Sequence, residues 1–148
     1  MGGTASPALC WGDARIGNIM FDEDGGVVAV LDWEMVSVGD PLNALAWFLL
    51  LDRHHSEACG VARLPGFPTH AETIGRWGSL TGRTEAGLEW WMLLGAIRYA
   101  AILTRVMDLL DDAGLFPGAR SSMSLDNTST VLLRSVLERP LLADDVTA

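Results

Sequence analysis

Near the start of the chain, two β-prone runs flank an acidic, glycine-rich segment. The runs are residues 18–21 and 27–31, and the segment between them is Asp-Glu-Asp-Gly-Gly at 22–26. Turn-forming residues between two β-prone runs are typical of a β-hairpin. We therefore predict a hairpin within residues 18–31, with the acidic segment as a solvated turn rather than a Ca²⁺ loop.

An almost wholly apolar run follows at residues 42–51, where Asn43 is the polar exception. Asp40 and Pro41 precede it. An Asp side chain accepts hydrogen bonds from the free amides of a helix start, and Pro suits the first helical position. Because a helix that is apolar on nearly every face belongs inside a core, we predict a central buried helix over residues 42–51.

The remainder of the chain has helical patterns separated by loops. Residues 52–68 contain Gly and Pro and are predicted to be an irregular connection. Thr69 and Glu72 form a capping-box pattern, which marks a helix start. Gly114 and Pro140 are end signals for two later helices. The predicted helices cover residues 69–82, 85–113 and 125–139.

This order of elements predicts a mainly α domain with one small β-hairpin. The chain has 148 residues, enough for one domain. Two strands do not form a stable sheet alone, so the hairpin must pack on the helices. We expect residues 1–8 to be a flexible tail and residues 9–148 to form the folded domain.

Composition narrows the classes of partner. Apolar residues make up 49% of the chain and charged residues 20%, as in globular rather than disordered proteins. Ten basic residues against nineteen acidic ones give a net charge of −9, which disfavours nucleic acid and anionic membranes as partners. All ten basic residues are Arg, so chemistry that needs a Lys of this chain is excluded.

Neither the cysteines nor the apolar segments indicate export. Cys10 and Cys59 are too few for a disulfide framework, and Cys10 is expected to be buried rather than reactive. The first ten residues lack the basic and apolar regions of a signal peptide. Three charged residues interrupt the apolar stretch 90–110, which favours a buried helix over a membrane span. The sequence thus predicts a cytoplasmic protein.

Three polar residues around the hairpin have a spacing suited to phosphoryl transfer. Asp13 and Asn18 are five residues apart in the loop before the hairpin, and Asp32 follows its second strand. This reaction needs a carboxylate that accepts the proton of the attacking hydroxyl, and hard oxygen ligands that hold Mg²⁺ against nucleotide phosphates. The hairpin brings Asn18 and Asp32 to the same end of its two strands.

The run WGDARIGNIMFDEDGGVVAVLDWEMVSVGDPLNALAW, residues 11–47, resembles the catalytic core of the aminoglycoside phosphotransferase-like family. This family includes choline kinase-like and homoserine kinase-like enzymes. The similarity is closest to the phosphotransferase subgroup associated with acyl-CoA dehydrogenases. The resemblance implies that Asp13 is the catalytic base, and that Asn18 and Asp32 bind Mg²⁺ and, through it, ATP.

The same resemblance implies the C-terminal lobe of a protein kinase-like fold without the N-terminal lobe. The catalytic loop and hairpin would occupy residues 9–34 and the helical subdomain residues 41–140. An intact family member would transfer the γ-phosphate of ATP to a hydroxyl of a small-molecule substrate that lies against the helices after residue 69. We expect the chain alone to be inactive. The alternative is a non-catalytic remnant or binding module derived from such a kinase.

Four residues are expected to support the site: Trp11, Arg15, Glu34 and Asp40. Trp11 stands where the family usually has His, and it can pack and donate one hydrogen bond. Glu34 is either a third metal carboxylate or a structural support. Asp40 belongs to the Gly-Asp-Pro turn at residues 39–41, whose role is mainly structural. Asn43 stands where the family often has Asp, which removes a charge and keeps an acceptor.

Several other residues have two interpretations. Trp90, Trp91 and Tyr99 either line a substrate pocket or pack in the core. Arg98 and Arg105 lie two helical turns apart, and they either bind an anionic substrate group or pair with the chain's own carboxylates.

For His54, His55 and Glu57 a surface loop is favoured over a metal site, because neighbouring histidines point apart on most backbones.

We also expect self-association. Apolar side chains that would face the other lobe should be exposed, and a large exposed apolar patch usually finds a partner. The candidates are Ile16, Ile19, Phe21 and Trp33.

Overall fold

The computed structural model describes residues 6–123 and 126–138. In chain order, its strands and helices are β1 (Ala8–Cys10), β2 (Ile19–Phe21), β3 (Val27–Val30), β4 (Ser37–Gly39), α1 (Leu42–Arg53), α2 (His70–Thr81), α3 (Leu88–Asp112), α4 (Ala119–Met123) and α5 (Thr128–Glu138). A short 3₁₀ turn, Ile16–Asn18, precedes β2, and a π-helical turn, His54–Ala58, extends α1. The chain is therefore mainly helical, with small antiparallel strand pairs, as predicted.

The predicted hairpin is confirmed. Strands β2 and β3 pair antiparallel, with Ile19 opposite Val30 and an irregularity near Phe21. Asp22 closes the turn because its Oδ1 accepts hydrogen bonds from the amides of Asp24, at 3.1 Å, and Gly26, at 2.6 Å. A side-chain acceptor that binds nearby amides is the usual reason for Asp in a tight turn.

A second strand pair was not predicted. Strand β1 pairs antiparallel with β4, and Cys10 lies opposite Ser37. The sequence pattern assigns Ala8 to a tail and leaves 37–39 without structure. Each strand has three residues, too few for a recognisable alternation, and their pairing joins segments almost thirty residues apart. Cys10 is buried, as expected.

Helix α1 starts where predicted but continues further. Asp40 Oδ1 accepts the amide of Leu42 at 2.9 Å. The helix runs to Arg53 and its π-helical turn ends at Ala58. The prediction of an irregular connection over residues 52–68 was therefore wrong for residues 52–58, whereas residues 59–68 form no helix or strand. Arg53 is buried and ion-paired with Glu57 at 3.0 Å. A charge that is paired on the helix itself allows the helix to continue past its apolar run.

Helices α1 and α3 form the centre of the core, and α5 packs on α3. Gly95 makes the close approach possible, because a Cβ there would lie 3.3 Å from Leu50 Cδ2. Trp91 and Tyr99 pack against the core, whereas Trp90 is exposed. The buried centre consists mainly of aliphatic residues: Leu42, Leu45, Leu49, Leu50, Leu51, Ile74, Leu88, Met92 and Leu132.

The later helices follow their capping signals. Thr69 and Glu72 form the predicted capping box, and Gly82 ends α2 in the left-handed region at φ 68°. Helix α3 begins three residues later than predicted, and the short α4 was not predicted. Helix α5 lies within the predicted range, whose ends at Leu125 and Arg139 fall outside the described residues, as does Pro140. Within the described residues, no helix combines the length and apolar character that crossing a bilayer requires.

Candidate active site around Asp13

The loop after β1 passes close to the segment after the hairpin, and Gly12 makes this possible. Gly12 has φ 94°, in the left-handed region, and a Cβ at this position would collide with the carbonyl of Met35. A glycine is needed here for both its conformation and its size. The close contact places Asp13 beside the residues that follow β3.

Asp13 accepts three side-chain hydrogen bonds. Asn18 Nδ2 and Arg15 Nε donate to its Oδ2 at 2.8 Å and 3.0 Å. Trp47 Nε1, from helix α1, donates to its Oδ1 at 2.9 Å. Trp47 is 5% exposed. Sequence reasoning missed Trp47; the available signal was a Trp inside a buried apolar helix, because a buried indole N–H needs an acceptor.

These contacts determine the charge state of Asp13. Burial alone would raise the pKa of its carboxyl, but the hydrogen bonds from Trp47, Arg15 and Asn18 outweigh burial and hold the pKa below its ordinary value. Hydrogen bonds to an ionised carboxylate favour the ionised form. Asp13 is therefore negatively charged at neutral pH and able to accept a hydrogen bond or a proton.

Asn18 lies between Asp13 and the hairpin. Its side chain is buried, and its Nδ2 also donates to the main-chain oxygen of Asp13 at 3.1 Å. Its own main-chain oxygen accepts the amide of Leu31 at 2.8 Å. The hairpin thus brings Asn18 opposite Leu31, the residue immediately before Asp32, as the sequence predicts.

Asp32 has an unusual backbone. Its φ is 59°, which makes it the one residue other than glycine with a positive φ in the described part of the chain, and its side chain is exposed. A non-glycine residue in this region costs free energy and is common at functional sites. Trp11 Nε1 donates to the carbonyls of Leu31, at 2.8 Å, and Asp32, at 3.1 Å, and its ring lies 6.0 Å from that of Trp33. The two hydrogen bonds from Trp11 and its contact with Trp33 stabilise the turn at Asp32.

The donor atoms of Asn18 and Asp32 fit Mg²⁺ bound to a nucleotide. Because the Asn18 nitrogen faces Asp13, the amide oxygen is the atom left to serve as a ligand. Mg²⁺ commonly takes one or two protein oxygen ligands and completes its shell with phosphate oxygens and water. Among residues 6–123 and 126–138, no group of three or more His, Cys, Asp or Glu side chains forms a metal site, so the pair would depend on phosphate oxygens.

The supporting residues occupy different positions. Arg15 is ion-paired with Asp13, with its side chain 40% exposed. Asp40 caps α1 and its Oδ2 accepts Trp91 Nε1 at 3.3 Å, which is a structural role. Glu34 is exposed in the turn after Asp32. The amide of Asn43 accepts a long hydrogen bond of 3.5 Å from Arg98.

His54 does not lie in a surface loop, which corrects the prediction. It is buried in the π-helical turn, where its Nε2 is 2.8 Å from Thr128 Oγ1 and its ring is edge-on to Tyr99. Burial, together with the nearby His55, lowers the pKa of His54. The side chain of His55 is exposed. The two neighbouring rings are in edge-to-face contact, with their centroids 5.2 Å apart, although one side chain is buried and the other exposed.

A cavity of about 290 Å³ opens beside Asp13. Its walls come from the Asp13 loop, from α1, from the π turn and from α3. The lining residues are Asp13, Arg15, Met35, Trp47, Leu51, His55, Tyr99 and Ile102. This cavity gives a small molecule access to the ionised carboxylate.

Comparisons with known proteins relate this chain to phosphotransferases. Residues 4–73 match the model of the phosphotransferase enzyme family. A crystal structure of a candidate aminoglycoside phosphotransferase from Ralstonia eutropha JMP134 is 27% identical, with a TM-score of 0.63 over 89% of this chain and 40% of that one. The chain thus spans about two fifths of the length of that structure. The predicted resemblance to the aminoglycoside phosphotransferase-like family is confirmed, whereas the subgroup stays a prediction. The predicted mainly helical fold with small strand pairs is confirmed too, and the chain is related to phosphotransferases in sequence and in fold.

Proposed function

We propose that this chain carries the acceptor side and the catalytic base of a small-molecule phosphotransferase, in which the γ-phosphate of ATP is transferred to a substrate hydroxyl. The observation that carries the proposal is the arrangement of Asp13, which is ionised, contacted by Asn18 at 2.8 Å and open to a cavity. The family relationship supports the reaction class, because phosphoryl transfer is its common chemistry.

Asp13 accepts the proton of the attacking hydroxyl. Each carboxylate oxygen has two lone pairs. Its Oδ2 already accepts from Asn18 and Arg15, whereas Oδ1 accepts from Trp47 and has room for one more donor. The substrate hydroxyl therefore binds at Oδ1. Two fixed donors on Oδ2 orient the carboxylate so that this lone pair is available.

Asn18 and Asp32 would hold Mg²⁺, which would neutralise charge on the transferred phosphate. Asn18 is held rigidly by its contacts with Asp13, while Asp32 supplies the exposed carboxylate. The two ligands would contribute differently to Mg²⁺ binding. The charged carboxylate of Asp32 would supply most of the electrostatic attraction, and the neutral, buried amide of Asn18 would fix the position of the ion.

The acceptor binds between α1 and α3, where Tyr99 and Ile102 line the cavity. This position agrees with the expectation that the helices after residue 69 contact the acceptor. A net charge of −9 makes nucleic acid an unfavourable partner, so the partner is a small molecule. A second copy of the chain is a further partner, through its exposed apolar residues.

The proposal is tested with a chimera in which this chain replaces the matching part of the Ralstonia eutropha protein. Transfer of γ-phosphate from ATP to alcohols is followed by ³¹P NMR, after a cooperative thermal transition shows that the chimera is folded. Asp13→Asn should lower the rate ~10²–10⁴-fold, as expected for loss of a general base. The matched control is Asp24→Asn, which removes an exposed carboxylate in the hairpin turn.

Equal rates in the two variants would contradict the role of Asp13. A folded chimera without any transfer would favour a non-catalytic binding module instead. The 148-residue chain tested alone is expected to show no turnover, because positioning of ATP accounts for most of this catalysis and the chain has no Lys to grip phosphate.

A further inference from the structure

A second and larger cavity, of about 320 Å³, lies next to the one at Asp13. Helix α1, the π-helical turn and the loop 61–67 enclose it. Its volume lies within the range of small-molecule binding sites. Most of its wall is apolar: Ile16, Phe48, Leu51, Val61, Leu64 and Phe67.

The two cavities share walls. Arg15, Leu51 and His55 line both of them. A molecule that fills the larger cavity can therefore extend past Leu51 toward Asp13. The smaller cavity, of about 290 Å³, contains Asp13 and would receive the hydroxyl group and the carbon atoms next to it, while the larger cavity would hold the rest of an acceptor.

Asp52 and Arg63, which line the larger cavity, form an ion pair, and Arg63 Nε is a buried donor without a hydrogen-bond partner among the described residues. Of the described residues that line it, Asp52 alone carries a carboxylate, and its Oδ2 accepts from Arg63 Nη2 and His70 Nε2, both at 2.8 Å. Arg63 Nη2 also donates to the carbonyl of Pro68 at 2.7 Å. Asp13, at the other end, is paired with Arg15.

An ammonium group in this cavity would meet guanidinium groups and no carboxylate without a partner. A carboxylate would meet Arg15 and Arg63, whose positive charges are balanced by Asp13 and Asp52. Arg63 Nε is buried without a hydrogen-bond partner in the described part of the chain, and a neutral oxygen can accept from it as well as a carboxylate can. Moving an ion out of water costs free energy unless an unbalanced opposite charge receives it. Both kinds of ion are therefore disfavoured relative to a neutral group whose oxygen accepts from Arg63 Nε. A neutral molecule with an apolar skeleton has no such desolvation cost, and the burial of its apolar surface favours binding.

We propose that the acceptor is an uncharged alcohol with a largely apolar body, and not a polycationic amino sugar. This inference rests on the proposed function, since it takes the hydroxyl at Asp13 as the phosphate acceptor. Specificity then comes from the apolar wall and from the paired state of Asp52.

Three six-carbon probes test the proposal on the 148-residue chain: 1-hexanol, 6-amino-1-hexanol and 6-hydroxyhexanoate. They differ only in the group at the far end, which is neutral, cationic or anionic at pH 7. Binding is followed by two-dimensional NMR of backbone amides and methyl groups. We expect a millimolar dissociation constant for 1-hexanol and shifts at Leu51, Val61 and Leu64. The amino probe should bind at least about tenfold more weakly, and the anionic probe also more weakly.

A matched pair of variants locates the binding. Ala62→Trp places a large ring at the cavity mouth and should abolish the shifts. Ala86→Trp changes an exposed loop alanine that lines neither cavity, and should leave them unchanged. If Ala62→Trp fails to fold, the positions of the shifts in the unchanged chain still decide the matter.

Equal or tighter binding of the amino probe, tightest binding of the anionic probe, shifts outside the cavity, or no shifts would each overturn the proposal. The binding measurement needs no phosphoryl transfer. A failure here therefore leaves the role of Asp13 standing, while unchanged transfer in the Asp13→Asn chimera would remove that role and leave the binding preference intact.

Discussion

Trp47 donates its indole N–H to Oδ1 of Asp13 over 2.9 Å and so ties helix α1 to the loop that follows β1. The residues are 34 positions apart in the sequence. The bond joins the core of the domain to the carboxylate at the candidate site. Its loss should change the site without unfolding the core, because Trp47 also contacts the ring of Tyr99.

Replacing Trp47 should therefore change the protonation of Asp13. In Trp47→Phe, burial continues to raise the pKa of Asp13 while one opposing hydrogen bond is lost. A hydrogen bond to a carboxylate favours its ionised form, so the pKa should rise when this bond is lost. Side-chain ¹³C NMR of the 148-residue chain measures it. Trp91→Phe, which removes an indole bonded to Asp40, is the control and should leave the pKa of Asp13 unchanged.

The ion pairs of Asp52 should make stability depend on pH. Burial would raise the pKa of Asp52, but His70, Arg63 and His55 lower it below the ordinary value. A lowered folded-state pKa stabilises the fold fully above the unfolded pKa of about 4, and this contribution is lost as pH falls below it. Urea unfolding of Asp52→Asn between pH 7 and 3 should show a smaller slope and a loss of about 1–3 kcal/mol at pH 7. An unchanged pH slope would contradict this assignment.

Gly12 should tolerate no side chain. In Gly12→Ala the methyl group would collide with the Met35 carbonyl and the backbone would remain at φ 94°. We expect a loss of more than about 2 kcal/mol in the free energy of unfolding. Gly25→Ala is the matched control, since Gly25 has φ 82° and open space around it. Equal losses in the two variants would mean that the contact with Met35 is unimportant.

Asp32 and Asn18 should differ in their effect on Mg²⁺. In the chimera, Asp32→Asn removes a charged ligand and should raise the Mg²⁺ concentration needed for half-maximal rate by about tenfold or more. Asn18→Ala should have a milder effect on that concentration, since a neutral amide contributes less. A Mg²⁺ titration of the rate measures both. Similar and small effects at the two positions would contradict the proposed ligand roles.

Self-association should involve the apolar residues near the hairpin. Ile16, Phe21 and Trp33 are 47%, 46% and 44% exposed, as predicted. Ile19 is less exposed than these three residues. Charge repulsion at a net −9 is screened over about 10 Å at 0.1 M salt. Light scattering should show association that increases with salt and is weakened in Phe21→Ser. Leu80→Ser, at a residue 72% exposed on α2, should not weaken it. A monomer at every salt concentration would contradict the prediction.

Local patterns were enough to predict the hairpin and the starts of α1 and α2. Asp22 binds amides two and four residues away, Asp40 caps the helix that follows it, and Thr69 pairs with Glu72 within one turn. Each of these signals acts between neighbours in the chain. The spacing of Asp13, Asn18 and Asp32 is local in the same sense, because a hairpin of known length joins them.

Contacts between distant segments were decided only by the tertiary structure. The pairing of β1 with β4, the burial of His54 against Thr128, and the bond from Trp47 to Asp13 join residues that are 27 to 74 positions apart. A single sequence contains no signal for such pairs, since any of several buried partners would satisfy the same polar atom. The sequence by itself predicts which residues would carry the chemistry and places Arg15 and Asn18 next to Asp13 in the chain. The tertiary structure decided that Trp47 of α1 contacts Asp13 and that the cavity beside Asp13 lies between α1 and α3, because both depend on how distant segments pack.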